Sequence, residues 1–202
     1  MPRPMDTREF EDKIDLQKQN PSLTLTYNLD YAPETIWEIP TIFESTRALP
    51  FYVQEIGFTV AYDKYFVCRK GLESYMLCYI TEGTMNLSYQ NKVDDLSAGN
   101  LFWLDCTKVH TLSMSHKGST LKCYWVHFFG NGAIQYKNQF DSLHGSAVLQ
   151  LDVKSLILPY MQRLLDVYHK KEKTLMLNFE ASSLLTSICY FCLRQYTMSK
   201  KK

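Results

Sequence analysis

Residues 51–129 consist of short apolar segments joined by turns too short to hold a helix, and this spacing constrains the fold more than any other feature. The segments are rich in β-branched and aromatic residues and read FYVQEIGFTV, KYFVCR, YMLCYIT, MNLSYQ, LFWLD and LKCYWVHFF. The intervening turns, such as RKGLES, SAG and SHKGS, are polar or contain glycine. In SYQNKV, a hairpin is expected with Asn91 near its tip. Closely spaced strands without intervening helices predict an antiparallel sandwich or barrel.

The hydrophobic period changes after Gly145. In DVKSLILPYMQRLLDVYHKK the apolar residues recur at steps of three and four, which predicts an amphipathic helix that either kinks at Pro159 or begins near it. A second helix is predicted from about Leu175 to Tyr196. We therefore expect an N-terminal arm over residues 1–50, a barrel over 51–145 and a helical region over 146–202.

The expected arm mixes prolines with aromatic residues between positions 20 and 50. Proline prevents long regular structure there, whereas the aromatic side chains favour packing on another surface. The arm should therefore lie against the barrel, with Pro40 to Pro50 covering the barrel mouth.

The charge balance limits the partners of this chain. Lys and Arg number 22 and Asp and Glu number 21, so the net charge is +1. A nearly neutral chain is not expected to grip nucleic acid by itself, because phosphate binding needs a basic surface. No apolar run approaches the roughly 20 residues that span a bilayer, and the N-terminus lacks an apolar signal region. We therefore expect a cytoplasmic protein with no membrane partner, and six cysteines that stay reduced in the core.

The last predicted helix carries two apolar stripes. One contains Leu177, Ala181, Leu184, Ile188 and Phe191, and the other includes Leu185, Cys189 and Cys192. A surface helix packed on one core needs one stripe. We expect the first stripe to form a homodimer interface; the alternative is one broad face buried within the chain.

The stretch GNLFWLDCTKVH, which ends at His110, resembles the second motif of cupin barrels. Metal-binding cupins carry two histidines and a glutamate on an earlier strand, but the corresponding GLESYMLCYITEG has no histidine. We therefore expect no metal and no cofactor. The alternative is a metal-dependent cupin enzyme that assembles a site from His110, Cys123 and His127. The chain also lacks a Gly-rich phosphate loop, a GxSxG elbow and an HExxH helix, so we expect no enzyme activity.

Strand alternation predicts a ligand pocket inside the barrel. Cys123, Trp125 and His127 share one face of their strand, and Arg69 shares a face with Tyr65 and Val67. An arginine inside a small barrel must be paired or meet a ligand, because a lone buried guanidinium is costly. Trp125 offers a flat apolar surface to a sugar ring, while Arg69 and His127 offer hydrogen bonds.

The stretch from Cys68 to Gly130 resembles the N-terminal effector-binding domain of AraC-type transcriptional regulators. The features that match are Arg69 before the YMLCYITEG strand, Gly83, the turn at Gly99, His110 and the closing WVHFFG. The resemblance implies a cupin-like double-stranded β-helix barrel followed by two α-helices for dimerisation. It also implies a small polar effector, a carbohydrate in the first instance, inside the barrel with the arm closing its mouth.

Candidate ligand-binding residues follow from the resemblance and the strand faces together. By the resemblance, Arg69 and Trp125 match effector-contacting positions, and Thr59 matches one loosely through Gly57. Leu112 and Cys123 fall where arabinose-binding members carry polar residues, which implies a different effector. The full candidate set is Thr59, Arg69, His110, Leu112, Cys123, Trp125 and His127.

The expected function is that of a ligand-sensing and dimerisation domain of an AraC-type bacterial regulator. The family's helix-turn-helix units are not found before Lys202, so DNA would be contacted only through a C-terminal domain that is not in this chain. Two alternatives stay open: a metal-dependent cupin enzyme, and a dimerisation module without a ligand.

Overall fold

The computed structural model describes residues 22–116, 118–151, 155–169 and 174–199. Within these ranges there are eleven strands, three α-helices and one 3₁₀ helix at Glu44–Ala48. The strands are β1 (Thr24–Asn28), β2 (Ile36–Glu38), β3 (Tyr52–Ala61), β4 (Phe66–Lys70), β5 (Tyr75–Glu82), β6 (Thr84–Tyr89), β7 (Lys92–Ser97), β8 (Asn100–Asp105), β9 (His110–Met114), β10 (Leu121–Phe129) and β11 (Val148–Gln150). The helices are α1 (Asn131–His144), α2 (Ile157–His169) and α3 (Leu175–Ser199).

The strands form two antiparallel sheets that enclose a common interior. One sheet has the order β1-β4-β9-β6-β7, and the other has the order β11-β8-β5-β10-β3-β2. The β6–β7 hairpin turns at Gln90 and Asn91, both with positive φ, as expected for a tight turn at this position. The predicted fold class, a mainly β cupin-like barrel with C-terminal helices, is confirmed.

Two hydrophobic cores lie on opposite faces of the six-stranded sheet. Along β10, Cys123 and Trp125 point into the barrel core, whereas Val126 and Phe128 belong to the core under the helices. The alternation in LKCYWVHFF is therefore real, but both faces are buried, because one meets the second sheet and the other meets the helices.

The helical part contains one helix more than predicted. Helix α1 follows β10 directly, within the range assigned to the barrel, and ends at His144; Gly145 caps it with a left-handed backbone. Helix α2 begins at Ile157, which places Pro159 in its first turn, where a missing N–H does no harm. The proline therefore marks the start of this helix and does not kink it.

The segment expected to be an arm is largely built into the sheets. Strand β1 pairs with β4, and β2 pairs with β3, so both become outer strands of the barrel. The Pro40 to Pro50 stretch does not lie over the barrel interior: Asn178 of α3 donates to the Thr41 carbonyl and the Thr46 hydroxyl, which ties this stretch to the final helix. Residues 1–21 of the expected arm lie outside the described residues.

The apolar stripe expected to form a dimer interface needs a correction. Ala181 and Ile188 are 0% exposed because they pack in the core of their own chain, so they are not available to a partner. Leu177, Leu184 and Phe191 are half-buried, and Leu184 and Phe191 pack at the margin of that core. The larger exposed apolar side chains of α3 lie on another face; they are Leu175, Met176, Phe179 and Tyr190.

Helix α3 is also long and apolar enough, by length and composition alone, to cross a membrane between Leu175 and Gln195. Its apolar character has a local explanation. Leu185, Cys189 and Cys192 are completely buried against the outer face of the barrel sheet and the neighbouring helices, as in a core helix.

Candidate functional site

A cavity of about 40 Å³ lies between the two sheets, inside the barrel. Strands of both sheets line it, and the segment around β2 closes one side. The lining residues are Leu29, Tyr31, Trp37, Glu55, Tyr65, Val67, Arg69, Met76, Cys78, Met85, His110, Leu112, Cys123, Trp125 and His127. The wall is thus mostly aromatic and aliphatic, with a few polar groups, as in small-molecule sites.

A chain of hydrogen bonds fixes His127 beside Arg69. Arg69 Nη1 lies 3.1 Å from His127 Nε2, and Ser74 Oγ lies 3.2 Å from His127 Nδ1. A guanidinium only donates, so Nε2 is the acceptor and the ring proton sits on Nδ1, facing Ser74. Burial and the adjacent Arg69 charge hold the pKa of His127 well below its ordinary value. The imidazole therefore stays neutral and accepts from the arginine.

His110 is a second neutral imidazole in the same wall. It stands opposite Arg69 across the β4–β9 pair and is 1% exposed. Its Nδ1 donates to the Lys108 carbonyl at 3.0 Å. Burial lowers the pKa of His110 to about 4, although this hydrogen bond opposes the shift. The ring thus has its Nδ1 occupied by the turn that precedes β9, and its Nε2 is an acceptor.

Trp125 is held in place by a hydroxyl behind it. Its Nε1 donates to Thr59 Oγ1 at 2.8 Å, on the neighbouring strand β3. Trp37 meets Trp125 edge to face, with ring centroids 5.7 Å apart, and Tyr31 stacks on Tyr65 at 5.6 Å. The aromatic wall is therefore formed jointly by the barrel and by the segment that precedes it.

Gly57 makes room for the Trp125 ring. A Cβ atom at this position would lie 2.6 Å from Trp125 Cζ2 and 2.5 Å from the Ile36 carbonyl oxygen. Only a glycine lets the indole and strand β2 approach β3 so closely.

The structure brings six of the seven candidate ligand-binding residues to the cavity wall. These are Arg69, His110, Leu112, Cys123, Trp125 and His127. Thr59 is 2% exposed and supports Trp125 without lining the cavity. Sequence reasoning missed Glu55, which stands opposite His127 on β3 and accepts from Trp37 Nε1 at 3.0 Å. An acidic residue within the apolar FYVQEIGFTV segment was the available signal.

The residues of the metal-site alternative do not form a ligand set. Within the described ranges, no three His, Cys, Asp or Glu side chains come together as metal ligands. His127 has both ring nitrogens engaged, by Arg69 and Ser74. The Cys78 and Cys123 thiols lie side by side, and burial raises the pKa of Cys78 well above its usual range.

One protein-family model matches the chain over most of its length. The profile of the AraC-like ligand binding domain matches residues 52–185. No curated protein sequence matches the chain.

Solved structures with similar folds share little sequence with the chain. One is the plu4264 protein from Photorhabdus luminescens, at 11% identity and a TM-score of 0.40, covering 70% of this chain and 98% of that one. A cupin superfamily protein from Desulfitobacterium hafniense has 14% identity and a TM-score of 0.34, covering 46% and 75%. The cupin domain of an XRE family transcriptional regulator from Enterobacter cloacae has 9% identity and a TM-score of 0.37, covering 46% and 94%.

Proposed function

Because the chain belongs to the AraC-like ligand binding domain family, we propose that its barrel binds a small polar effector and passes that signal to a transcriptional regulator. The observation that carries the proposal is the cavity inside the barrel, whose aromatic wall contains the buried polar groups of Arg69, His110 and His127. Buried polar groups around a cavity are what a specific small ligand needs.

The finer parts of the proposal follow from the same family. A carbohydrate is the effector class first implied, and the two indoles of Trp37 and Trp125 support a ring-shaped ligand. DNA would be contacted by a helix-turn-helix domain outside these 202 residues, in the cytoplasm. The role proposed for the barrel is binding without catalysis: both ring nitrogens of His127 are hydrogen-bonded to Arg69 and Ser74, and Nδ1 of His110 is bonded to the Lys108 carbonyl.

A thermal-shift screen tests the binding step. A panel of monosaccharides and small organic acids should contain a compound that raises the unfolding temperature. A ligand present at about 100 times its dissociation constant adds about 2.7 kcal/mol to the free energy of unfolding.

Two matched variants of β10 show whether the compound occupies the barrel. Cys123→Leu adds atoms inside the cavity and should abolish the shift. Lys122→Leu changes the adjacent residue, which is partly exposed and whose amine pairs with Glu82. This variant should keep the ligand-induced rise in unfolding temperature. A shift that survives Cys123→Leu would place the binding site elsewhere and contradict the proposal.

We further propose that the chain forms a homodimer through α3, on a face shifted from the stripe expected from sequence. Phe179 and Tyr190 are 46% and 52% exposed, and apolar surface of this kind favours burial against a partner. Phe179→Glu should convert the dimer to a monomer in analytical ultracentrifugation. Val93→Glu, at an apolar side chain 73% exposed on β7, is the control and should leave the dimer intact. A wild-type chain that sediments as a monomer would refute this assignment.

A further inference from the structure

Arg69 is a buried cation that has no anionic partner in the described part of the chain. Its side chain lines the cavity and the residue is 8% exposed. Nη1 donates to the neutral His127, and Nε is buried without an acceptor. The ion pairs of the described residues do not include this guanidinium. Because buried charges are normally paired, this guanidinium is suited to bind an anionic group of a ligand.

The shape of the unused part of Arg69 indicates which anion fits. With Nη1 bound to His127, the edge formed by Nε and Nη2 is left without a hydrogen bond to the described residues. Two parallel N–H groups on one edge of a guanidinium match the two oxygens of a carboxylate.

The surrounding groups limit the ligand to a single negative charge. His110 and His127 add no positive charge near neutral pH, because burial lowers the pKa of both imidazoles. Glu55 lines the same cavity, and its carboxyl group accepts from Trp37. Arg69 is therefore the one cation among the described residues that line the cavity, which favours a ligand with a single carboxylate over a phosphate or a dicarboxylate.

We infer that the effector carries one carboxylate, which Arg69 binds, on a small body that packs among Trp37, Trp125 and Tyr31. The inference rests on the proposed function and narrows its effector to monocarboxylic acids, acidic sugars included, in place of neutral sugars. The cavity of about 40 Å³ is far smaller than a typical ligand pocket, so the ligand is small and the aromatic wall moves to admit it.

Matched acid and neutral compounds test the inference by titration calorimetry and thermal shift. The pairs are propionate and propionamide, benzoate and benzamide, and glucuronate and glucose, with inorganic phosphate as a further anion. At least one acid should bind in the millimolar range or tighter, while its neutral partner and phosphate do not. Each pair preserves size and shape closely enough that charge is the main difference.

Two arginine variants separate a ligand role from a structural one. Arg69→Met keeps most of the side-chain length but removes the charge. Its unfolding temperature without ligand should equal or exceed that of the wild type, because an uncompensated buried cation is gone. Its response to the acid should be lost. Arg163→Met, at an exposed arginine 2.6 Å from Glu180 on the helices, is the control and should respond as the wild type does.

A third variant covers the case in which Arg69→Met fails to fold. Arg69→Lys keeps the charge but loses the planar pair of donors, and it should weaken binding of the acid about tenfold to a hundredfold. Unchanged affinity in Arg69→Lys would overturn the assignment.

The possible failures can be told apart. Equal binding of an acid and its neutral partner, sensitive to Cys123→Leu, would overturn the carboxylate inference and leave effector binding in place. Absence of binding by every acid, alongside binding of a neutral sugar, would do the same. Binding of an acid that Cys123→Leu does not affect would overturn the proposed function itself.

Discussion

Lowering the pH should weaken the fold through His110, whose pKa burial lowers to about 4. Unfolding exposes this imidazole and returns its pKa to about 6.5. Between these values the unfolded chain binds a proton that the folded chain does not, so the free energy of unfolding decreases as the pH falls. The contribution is fully present above about pH 6.5 and is lost progressively toward pH 4.

The size of the stability loss follows from the pH range between the pKa values of His110 in the folded and unfolded chain. Each pH unit inside it changes the free energy of unfolding by about 1.4 kcal/mol per group. Going from about pH 7.5 to about pH 5 crosses roughly one and a half units, so His110 alone should remove about 2 kcal/mol. His127 acts in the same direction, because burial lowers its pKa as well.

Urea unfolding at both pH values, followed by tryptophan fluorescence at equal ionic strength, measures this effect. His110→Asn replaces the imidazole with a group that does not titrate, and its amide N–H lies near the former Nδ1 position, within reach of the Lys108 carbonyl. The loss of stability between the two pH values should therefore be smaller by about 2 kcal/mol in this variant. His116→Asn, at an exposed residue, should behave as the wild type does.

Comparing the pH-dependent loss of stability in His110→Asn with that in the wild type cancels the contributions of all other titrating groups. If His110→Asn loses as much stability as the wild type between the two pH values, burial does not hold His110 neutral. The cavity would then not hold one guanidinium beside two neutral imidazoles.

Three further substitutions probe the structure around the cavity and the helices. Gly57→Ala should cost about 1–3 kcal/mol in urea unfolding and shift the tryptophan emission, because the added methyl group displaces Trp125. Asn178→Ala removes two hydrogen bonds from α3 to the segment before β3, and hydrogen exchange should accelerate in that segment while the barrel strands stay protected. Asp141→Ala leaves the buried amine of Lys137 without its carboxylate and should cost about 1–3 kcal/mol in urea unfolding.

The barrel is predictable because its strands carry a clear two-residue period. LKCYWVHFF alternates between two buried faces, and this alternation by itself puts Cys123, Trp125 and His127 on one face. The same reasoning applied to KYFVCR identifies Arg69. A period of two gives the face of each residue directly, so the inner wall of a barrel can be predicted from strands alone.

Helix α1 is not predicted because its buried face carries both apolar and charged residues. Ala133, Lys137 and Phe140 are its buried residues, and a lysine on this face removes the apolar period that a helix would show. Lys137 is tolerated there because it pairs with Asp141 one turn later and lies over the Phe140 ring.

The role of the proline-rich segment depends on tertiary contacts that a sequence does not show. Its aromatic residues correctly predict packing, but not which part packs where. Leu29, Tyr31 and Trp37 line the cavity, whereas the stretch after Pro40 rests on α3. Composition predicts that such a segment is buried, but only pairing with β3 and β4 decides which side chains enter the barrel.

The same proline-rich segment contacts both the cavity and the helices. Trp37 forms part of the cavity wall, and the next residue, Glu38, lies 3.0 Å from His169 at the end of α2. At the far end of the same segment, the Phe51 N–H donates to Ser182 on α3. Both helices are therefore bonded to a stretch that also lines the cavity.

A ligand can shift the position of a protein element only through contacts that differ between its two states. The cavity of about 40 Å³ is smaller than typical ligand pockets, so a ligand is expected to displace part of its wall. Trp37 stands on β2, a strand of three residues at the outer edge of its sheet. A ligand that displaces Trp37 should therefore also move Glu38 and its contact with His169 of α2. By contrast, Arg69 and Trp125 stand on strands that are paired on both sides, so they should hold the ligand while the edge strand responds.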